Sequence, residues 1–412
     1  MTFYSSGLKT HLLDPVHDSS NFRSEWRLPT DTVLLSNFRI ANLGSVLGAN
    51  VNYNVLSGVN SLIKSIHLYD GNQVLDQILE FPMWAGFTAY NSSNQKNTDV
   101  SKVLIRNEMG YQYTGADVPN ANGAAGANNT ALIKHYFVSE KGNTAQNTTA
   151  KGWLSLKSIL PILDASLYLP TTVFKNLRLV IEYNTNNVQT TFTGTGSNTV
   201  EPLLIVDEIL NSEKQAQITS QYSGVSFLAI EHDRLMVPAM VAADSVVQSI
   251  SQNVGGFNNK TVNRILVVNS STNGTAIGAD NTRGLGSCSQ LNQKVQVRIN
   301  GSNVFPRDGI TRPNQRLALL NDVWGGCNSF TGSNEIYLSN AVNCVGPTGM
   351  IGNLDYFGCH VTSQVNDFQI DYSRENVANM ATRYNQQLQL NIFGEVSKSI
   401  SVQKGVYSIK YV

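Results

Sequence analysis

The sequence predicts an all-β chain folded as two consecutive antiparallel sandwiches, with a few short helices in the loops. Three observations carry this. Runs of strand length, rich in Val, Ile, Leu and Tyr and bounded by Gly, Asn and Asp, recur along the chain. One order of elements occurs twice. Charged residues are only 14 % of the chain, well below the roughly 25 % of an average globular protein, and Asn, Ser, Thr, Gln and Gly supply the missing polarity of turns and strand edges. A chain of 412 residues exceeds one ordinary all-β core, which makes two domains the natural division.

Residues 1–30 are polar and weakly patterned, with Trp26-Arg27-Leu28-Pro29 near their end. They read as an N-terminal arm outside both sandwiches. The regular body begins with a β-rich run from Thr32 to Ile40. A second run spans Leu62 to Tyr69. There Ile63, Ser65, His67 and Tyr69 share one face, and Leu62, Lys64, Ile66 and Leu68 the other, so both faces meet protein. Asp70-Gly71-Asn72 turns the chain into Gln73-Val74-Leu75-Asp76. Residues 78–92 and 97–109 read as short helices. The stretch 111–151, rich in Gly, Ala, Asn and Thr, reads as a long exposed loop. Strand signal returns at 153–159, 176–183 and 202–209, which closes a first unit at 31–209.

The polar residues 210–222 read as a connector, and a second unit occupies 223–412. Strands are expected at 225–237, 262–269, 294–299, 335–340, 355–364, 367–373, 386–392 and 396–411. A helix is expected from Asn314 to Trp324, and 250–290 reads as a second long surface stretch. The halves rhyme. Leu62–Leu68 runs into Asp70-Gly71-Asn72 and a helix carrying Trp84; Val295–Ile299 runs into Asn300-Gly301-Ser302 and a helix ending at Trp324. Each half ends in an alternating strand, Leu177–Ile181 and Leu388–Ile392. Such a repeated order points to a duplicated β-domain.

Two stretches carry a resemblance to a known family. One is Trp153-Leu154-Ser155-Leu156-Lys157-Ser158-Ile159-Leu160-Pro161 through Leu169-Pro170 to Asn176-Leu177-Arg178-Leu179-Val180-Ile181-Glu182-Tyr183. The other is Lys294-Val295-Gln296-Val297-Arg298-Ile299-Asn300-Gly301 followed by Leu317 to Trp324. In pattern and order over residues 30–412 the chain resembles the double jelly-roll major capsid proteins of double-stranded DNA viruses, such as virophages, polinton-like viruses and the large nucleocytoplasmic viruses. The resemblance implies two consecutive eight-stranded antiparallel jelly rolls standing side by side. It also implies a homotrimer that acts as a pseudo-hexameric tile of an icosahedral shell. Its partners would be neighbouring trimers, penton proteins and minor capsid proteins, and it allows contact with an internal membrane. The arm 1–30 would lie at the inner base, and 111–151 and 250–290 would form the outer rim. The place would be the virion capsid, after synthesis in the host cytoplasm.

The chemistry expected is that of a structural protein. Lys+Arg and Asp+Glu are both 29. A neutral chain has little self-repulsion, which favours association, and lacks the basic face of a nucleic-acid binder. His135, His232 and Asp233 invite a catalytic reading, but spacing gives them no convergent partner, and they read as structural. No nucleophile elbow, phosphate loop or zinc-protease motif occurs, and Gly123-Ala124-Ala125-Gly126 follows no strand. Asp355-Tyr356 and Asp371-Tyr372 read as loop or strand edge rather than calcium ligands. Arg298, Arg307, Arg312 and Arg316 stand equally as an interface ion-pair cluster or a solvated loop. Trp84 and Trp324 read as filling between helix and sandwich end. Cys288, Cys327, Cys344 and Cys359 lack metal-ligand spacing and read as reduced thiols, with no disulfide assigned. The Asn-x-Ser/Thr matches at Asn91, Asn128 and Asn147 read as accidents of an Asn-rich chain. No catalytic, cofactor-binding or metal-ligating residue is therefore assigned, and no cofactor is expected. The N-terminus has no leader pattern, and no apolar run approaches the ~20 residues of a membrane span. Two rival readings fit less well. A carbohydrate-binding sandwich would want aromatics on one sheet face, whereas they are 8 % and scattered; a virion fibre would show short repeats or a stalk.

Overall fold

The structure is a computed structural model. It describes residues 2–5, 7–19, 23–43, 52–54, 60, 62–91, 137–139, 152–184, 192–193, 202–238, 247–271, 294–306, 309–310, 315, 319, 322–324, 356–375 and 388–412. Each half folds as two antiparallel sheets. In the second half one sheet sets Gly224–Val237 beside Leu388–Gln403, then Lys260–Ser271, then Tyr356–Val365. The other runs Val247–Asn253, Phe368–Glu375, Lys294–Ile299, Ser302–Asn303. In order of sequence these are the first, eighth, third and sixth strands, then the second, seventh, fourth and fifth. That is the double Greek-key order of a jelly roll.

The first half repeats the order. Leu203–Ile209 lies between Leu8–Leu13 on one side and Val33–Leu35 with Arg39–Leu43 on the other. Those two short strands pair in turn with Tyr168–Pro170 and Gly152–Ser155. The facing sheet runs Arg23–Arg27, Leu177–Tyr183, Ile63–Asp70, Gln73–Ile78. Thr2–Ser5 and His17–Ser19 extend the edges, and Asn52–Asn54, Phe137–Ser139 and Phe192–Thr193 form a small separate sheet. No sheet among the described residues mixes strands from the two halves.

The strands form where alternation gives each sheet an inner apolar face. In Leu177–Tyr183, Leu177, Leu179, Ile181 and Tyr183 are buried and Arg178 and Glu182 reach outwards. The fourth-to-fifth hairpin closes both units with residues of positive φ, Gly71 in the first and Asn300-Gly301 in the second. The second core packs Ile265, Val267, Val297, Ile370, Leu390 and Ile392. Phe257 and Phe368 meet edge to face there with centroids 5.6 Å apart. A Cβ at Gly394 would run into the Phe257 ring, so the strand needs glycine at that point.

Several expectations are corrected. Residues 1–30 are not an arm: they supply the first and second strands of the first sandwich, and Trp26 and Ser24 are fully buried. Their partners, Leu203–Ile209 and Leu177–Tyr183, lie more than half of this unit away in sequence. Short strands of mixed polarity such as Arg23-Ser24-Glu25-Trp26-Arg27 show no pattern until that pairing exists. The strand expected at 262–269 is present and longer, Lys260–Ser271, and the start of the stretch 250–290, expected as surface, belongs to the strand Val247–Asn253. Lys260–Ser271 buries Val262, Ile265 and Val267 in one core and Leu266 and Val268 in the other, with a bulge between Val262 and Arg264. Thr32–Ile40 is two strands broken at Ser36-Asn37-Phe38, and 386–392 and 396–403 are one long strand, Leu388–Gln403. Within the rhyme, topology pairs Leu177–Tyr183 with Phe368–Glu375, not with Leu388–Ile392, whose counterpart is Leu203–Ile209. The connector contains a helix, Ser212–Gln221, capped by Asn211, whose side chain accepts from the Lys214 N–H at 2.9 Å. Phe137–Ser139 is a strand inside the stretch expected to be loop, and the rest of 111–151 lies outside the described residues. So do the expected helix 97–109 and strand 335–340.

Because Trp26 seals the first core, Trp26→Ala should destabilise the chain by about 3–5 kcal/mol in denaturant titration. Removal of residues 1–30 should leave an aggregating chain, since two inner strands lose their neighbours.

Candidate functional site at the sandwich junction

The apolar interior does not divide where the sheets do. The second sandwich has its own core, but the first core continues onto the back of the second unit through Phe227, Ala229, Ile230, Leu266, Val268, Phe393 and Ile400. The strand Leu388–Gln403 explains this. From Leu390 to Val396 every residue is buried: Leu390, Ile392 and Val396 face the second core, and Phe393 faces the first. A strand buried on both faces reads as a continuous apolar run rather than an alternation. Beyond the sandwich, Leu388–Gln403 continues into a hairpin with Val406–Tyr411, and Tyr407 packs on Phe174 of the first unit at 5.2 Å. The short helix Pro161–Ala165 and the strand Gln73–Ile78 press on Gly224–Val237 from the other side.

The two tryptophans picked out by the sequence repeat meet here. Trp84, on the helix Phe81–Asn91, and Trp324, in the helical turn 322–324, touch edge to face with centroids 5.6 Å apart. Trp84 also lies 5.7 Å from Phe393. Trp324 is fixed by its second unit. Its Nε1 donates to the Ile265 carbonyl at 3.2 Å, and the Arg264 guanidinium stacks 3.9 Å above its ring. Arg264 in turn grips Glu395 with two parallel bonds of 2.7 Å and donates to the Val323 carbonyl at 2.9 Å. A planar cation with every edge engaged is a rigid support for an aromatic face.

The residues weighed for chemistry are scattered or already engaged. His232 lies at the junction against Phe393, with Nε2 3.2 Å from Asn391 Oδ1, and burial holds its proton affinity below the usual histidine value. Asp233 accepts from the Gly256 and Arg234 backbone N–H groups at 2.8 and 2.7 Å. Asp371 accepts from Ser251 at 2.6 Å and pairs with Arg298 at 2.9 Å, within one chain. Cys359 is buried, which pushes its thiol pKa up. His135, Gly123, Gly126, Asp355, Cys288, Cys327, Cys344, Arg307, Arg312 and Arg316 lie outside the described residues, as do Asn128 and Asn147. Among the described residues no cluster of His, Cys, Asp and Glu could hold a metal. An open groove of about 490 Å³ crosses the outer face of the second sandwich, lined by Ser249, Ser251, Lys294, Arg298, Asp371 and Ser373. No helix in the described residues is long and apolar enough to cross a membrane.

Two antiparallel sandwiches of jelly-roll order, joined through a shared apolar core, define the double jelly-roll class. Solved structures of that class align with the whole chain. The protein VP54 of PBCV-1, fitted into a reconstruction of the virophage Sputnik, covers 100 % of this chain and 99 % of its own, with a TM-score of 0.58 and 10 % identity. The mavirus major capsid protein aligns over 98 % of this chain and 90 % of its own (TM-score 0.53, 10 % identity). The Faustovirus major capsid protein does so over 97 % and 91 % (TM-score 0.52, 10 % identity). No protein-family model matches the sequence, and no curated protein does. At this identity the likeness is one of fold.

The sequence repeat found the tryptophans but not Arg264 or Glu395, which are ordinary strand residues until the register brings them together. Removing the cation leaves a buried carboxylate unpaired, so Arg264→Ala should cost about 2–3 kcal/mol in denaturant titration. It should also split one cooperative unfolding transition into two in calorimetry.

Proposed function

We propose that this chain is the major structural unit of an icosahedral virus shell, acting as a homotrimer in which six sandwiches form a pseudo-hexameric tile. The observation that carries the reading is the end-to-end alignment of both sandwiches with viral capsid proteins, over nearly the full length of each partner. The physical character of the chain supports it. A net charge of +0 and a charged fraction of 14 % suit a protein most of whose flanks face neighbours, because obligate interfaces are depleted in charge. The exposed edges of its sheets need cover, and three chains joined head to tail close a ring that supplies it. Further partners are neighbouring trimers, penton proteins and minor capsid proteins. A neutral chain leaves any packaged DNA to be neutralised by something else. The chain acts in the virion after synthesis in the host cytoplasm.

Light scattering behind size exclusion should give a mass three times the 45.0 kDa of one chain at micromolar concentration. A stable, soluble monomer would overturn the reading. Deleting residues 116–148 should leave a folded chain that trimerises less well, as judged by the same measurement; an insoluble product would place that stretch in the core.

A further inference from the structure

The junction holds a buried charge cluster that the packing of apolar groups does not require. Asp76, on the strand Gln73–Ile78 of the first sandwich, is 1 % exposed. Each of its oxygens accepts one backbone N–H at 2.9 Å: Oδ1 from Gln77, and Oδ2 from Ile162 in the first turn of Pro161–Ala165. Across the junction stands Lys398 of the second unit, 5 % exposed, with its ammonium 5.9 Å from the Phe227 ring centroid and 5.4 Å from that of Tyr411. Glu231 accepts from the Tyr411 hydroxyl at 2.8 Å and pairs with Lys260 at 3.3 Å, and the Lys260 ammonium lies 4.6 Å from the Tyr411 ring. The charged and titratable groups facing Asp76 are thus Lys398 from Leu388–Gln403, Glu231 from Gly224–Val237, and Tyr411 from the last strand, with Lys260 behind them. Asp164, on the helix that caps Asp76, is exposed and points away into solvent.

We propose that Asp76 is a proton-operated lock between the two sandwiches, with Lys398 pulling against it: Asp76 takes up a proton when the junction closes, so the two halves hold together more tightly in mildly acidic than in mildly alkaline solution. A carboxylate sealed under the second unit has lost its water and received only two backbone donors in return. Burial therefore pushes its pKa up to about 7, against the pull of the Ile162 N–H and of Lys398. Burial likewise lowers the pKa of Lys398, while Asp76 and Glu231 pull it back up. A carboxyl raised in the folded state binds its proton more tightly there than in the unfolded chain. The stability it contributes is complete below the unfolded value near about 3.9 and is lost as pH rises through about 7. A shell unit so built tightens as it passes from neutral to acidic surroundings. The inference rests on the intrachain junction and stands whether or not the chain assembles into shells.

The test compares unfolding of the full chain and Asp76→Asn in denaturant from about pH 5 to about pH 8.5. His67 and His232, whose buried rings give the opposite slope, are common to both proteins and cancel in the comparison. The expected result is that the unfolding constant of the unaltered chain, relative to the variant, rises about tenfold per pH unit as pH climbs towards 7. Asp76→Asn should then be the more stable of the two at about pH 8.5. Lys398→Met should move the midpoint of this dependence to higher pH. Parallel curves for the unaltered chain and Asp76→Asn overturn the proposal. Should Asp76→Asn fail to fold, infrared difference spectra of the unaltered chain between about pH 5.5 and about pH 8.5 decide it. A protonated, solvent-shielded carboxyl that disappears near neutrality supports the lock, and the absence of such a band overturns it.

Discussion

Everything in this molecule leans on one apolar contact: the back of the second sandwich buried against the first. A sandwich normally needs one inner face and leaves the other to water. Here the sheet of Gly224–Val237, Leu388–Gln403 and Lys260–Ser271 spends both faces. Ile265, Val267, Leu390 and Ile392 seal the second core; Leu266, Val268 and Phe393 join the first. The first unit answers with Trp84, the helix Pro161–Ala165 and Phe174. Two domains tied by such a surface do not rock on a linker, because separating them would expose the continuous interior of one.

Polar groups at the junction set its geometry. Trp84 and Trp324 meet at one angle because Arg264 holds the Trp324 ring from above while Glu395 and the Val323 carbonyl hold Arg264. Aromatic pairs alone tolerate a range of offsets, whereas a bidentate guanidinium fixes a plane. Charges left inside such a contact are costly unless compensated. Glu395 is compensated by Arg264, and Glu231 by Lys260 and Tyr411. Asp76 is met mainly by backbone N–H groups, which makes its protonation the soft point of the contact.

The repeat also bears on assembly. Both units carry the same strand order and the same hairpin of positive-φ residues, and in each a tryptophan follows the fifth strand. In the chain's own junction the two tryptophans touch. A ring of three chains would alternate this junction with one between chains, built from comparable flanks. The intrachain contact thereby sets the angle that the interchain contact would have to match.

The sequence by itself determined the all-β class, the two-unit plan and the fourth-to-fifth hairpins. Alternation in Leu177–Tyr183 and positive-φ residues in the turns are local signals that need no partner to be read. It marked Trp84 and Trp324 through their place in the repeat, though not that they would meet. Only the tertiary structure decided the role of residues 1–30, because Leu8–Leu13 and Arg23–Arg27 acquire an inside and an outside only when paired with strands near the far end of the same unit. It also decided which late strands correspond, since Phe368–Glu375 and Leu388–Gln403 look alike locally and differ only in what they pair with. The same holds for the junction. Arg264, Glu395, Asp76 and Lys398 are unremarkable strand residues in the sequence, and contact between distant strands gives them partners. Periodicity encodes which face of a strand is buried, but the identity of what buries it is a property of long-range register, which no local pattern carries.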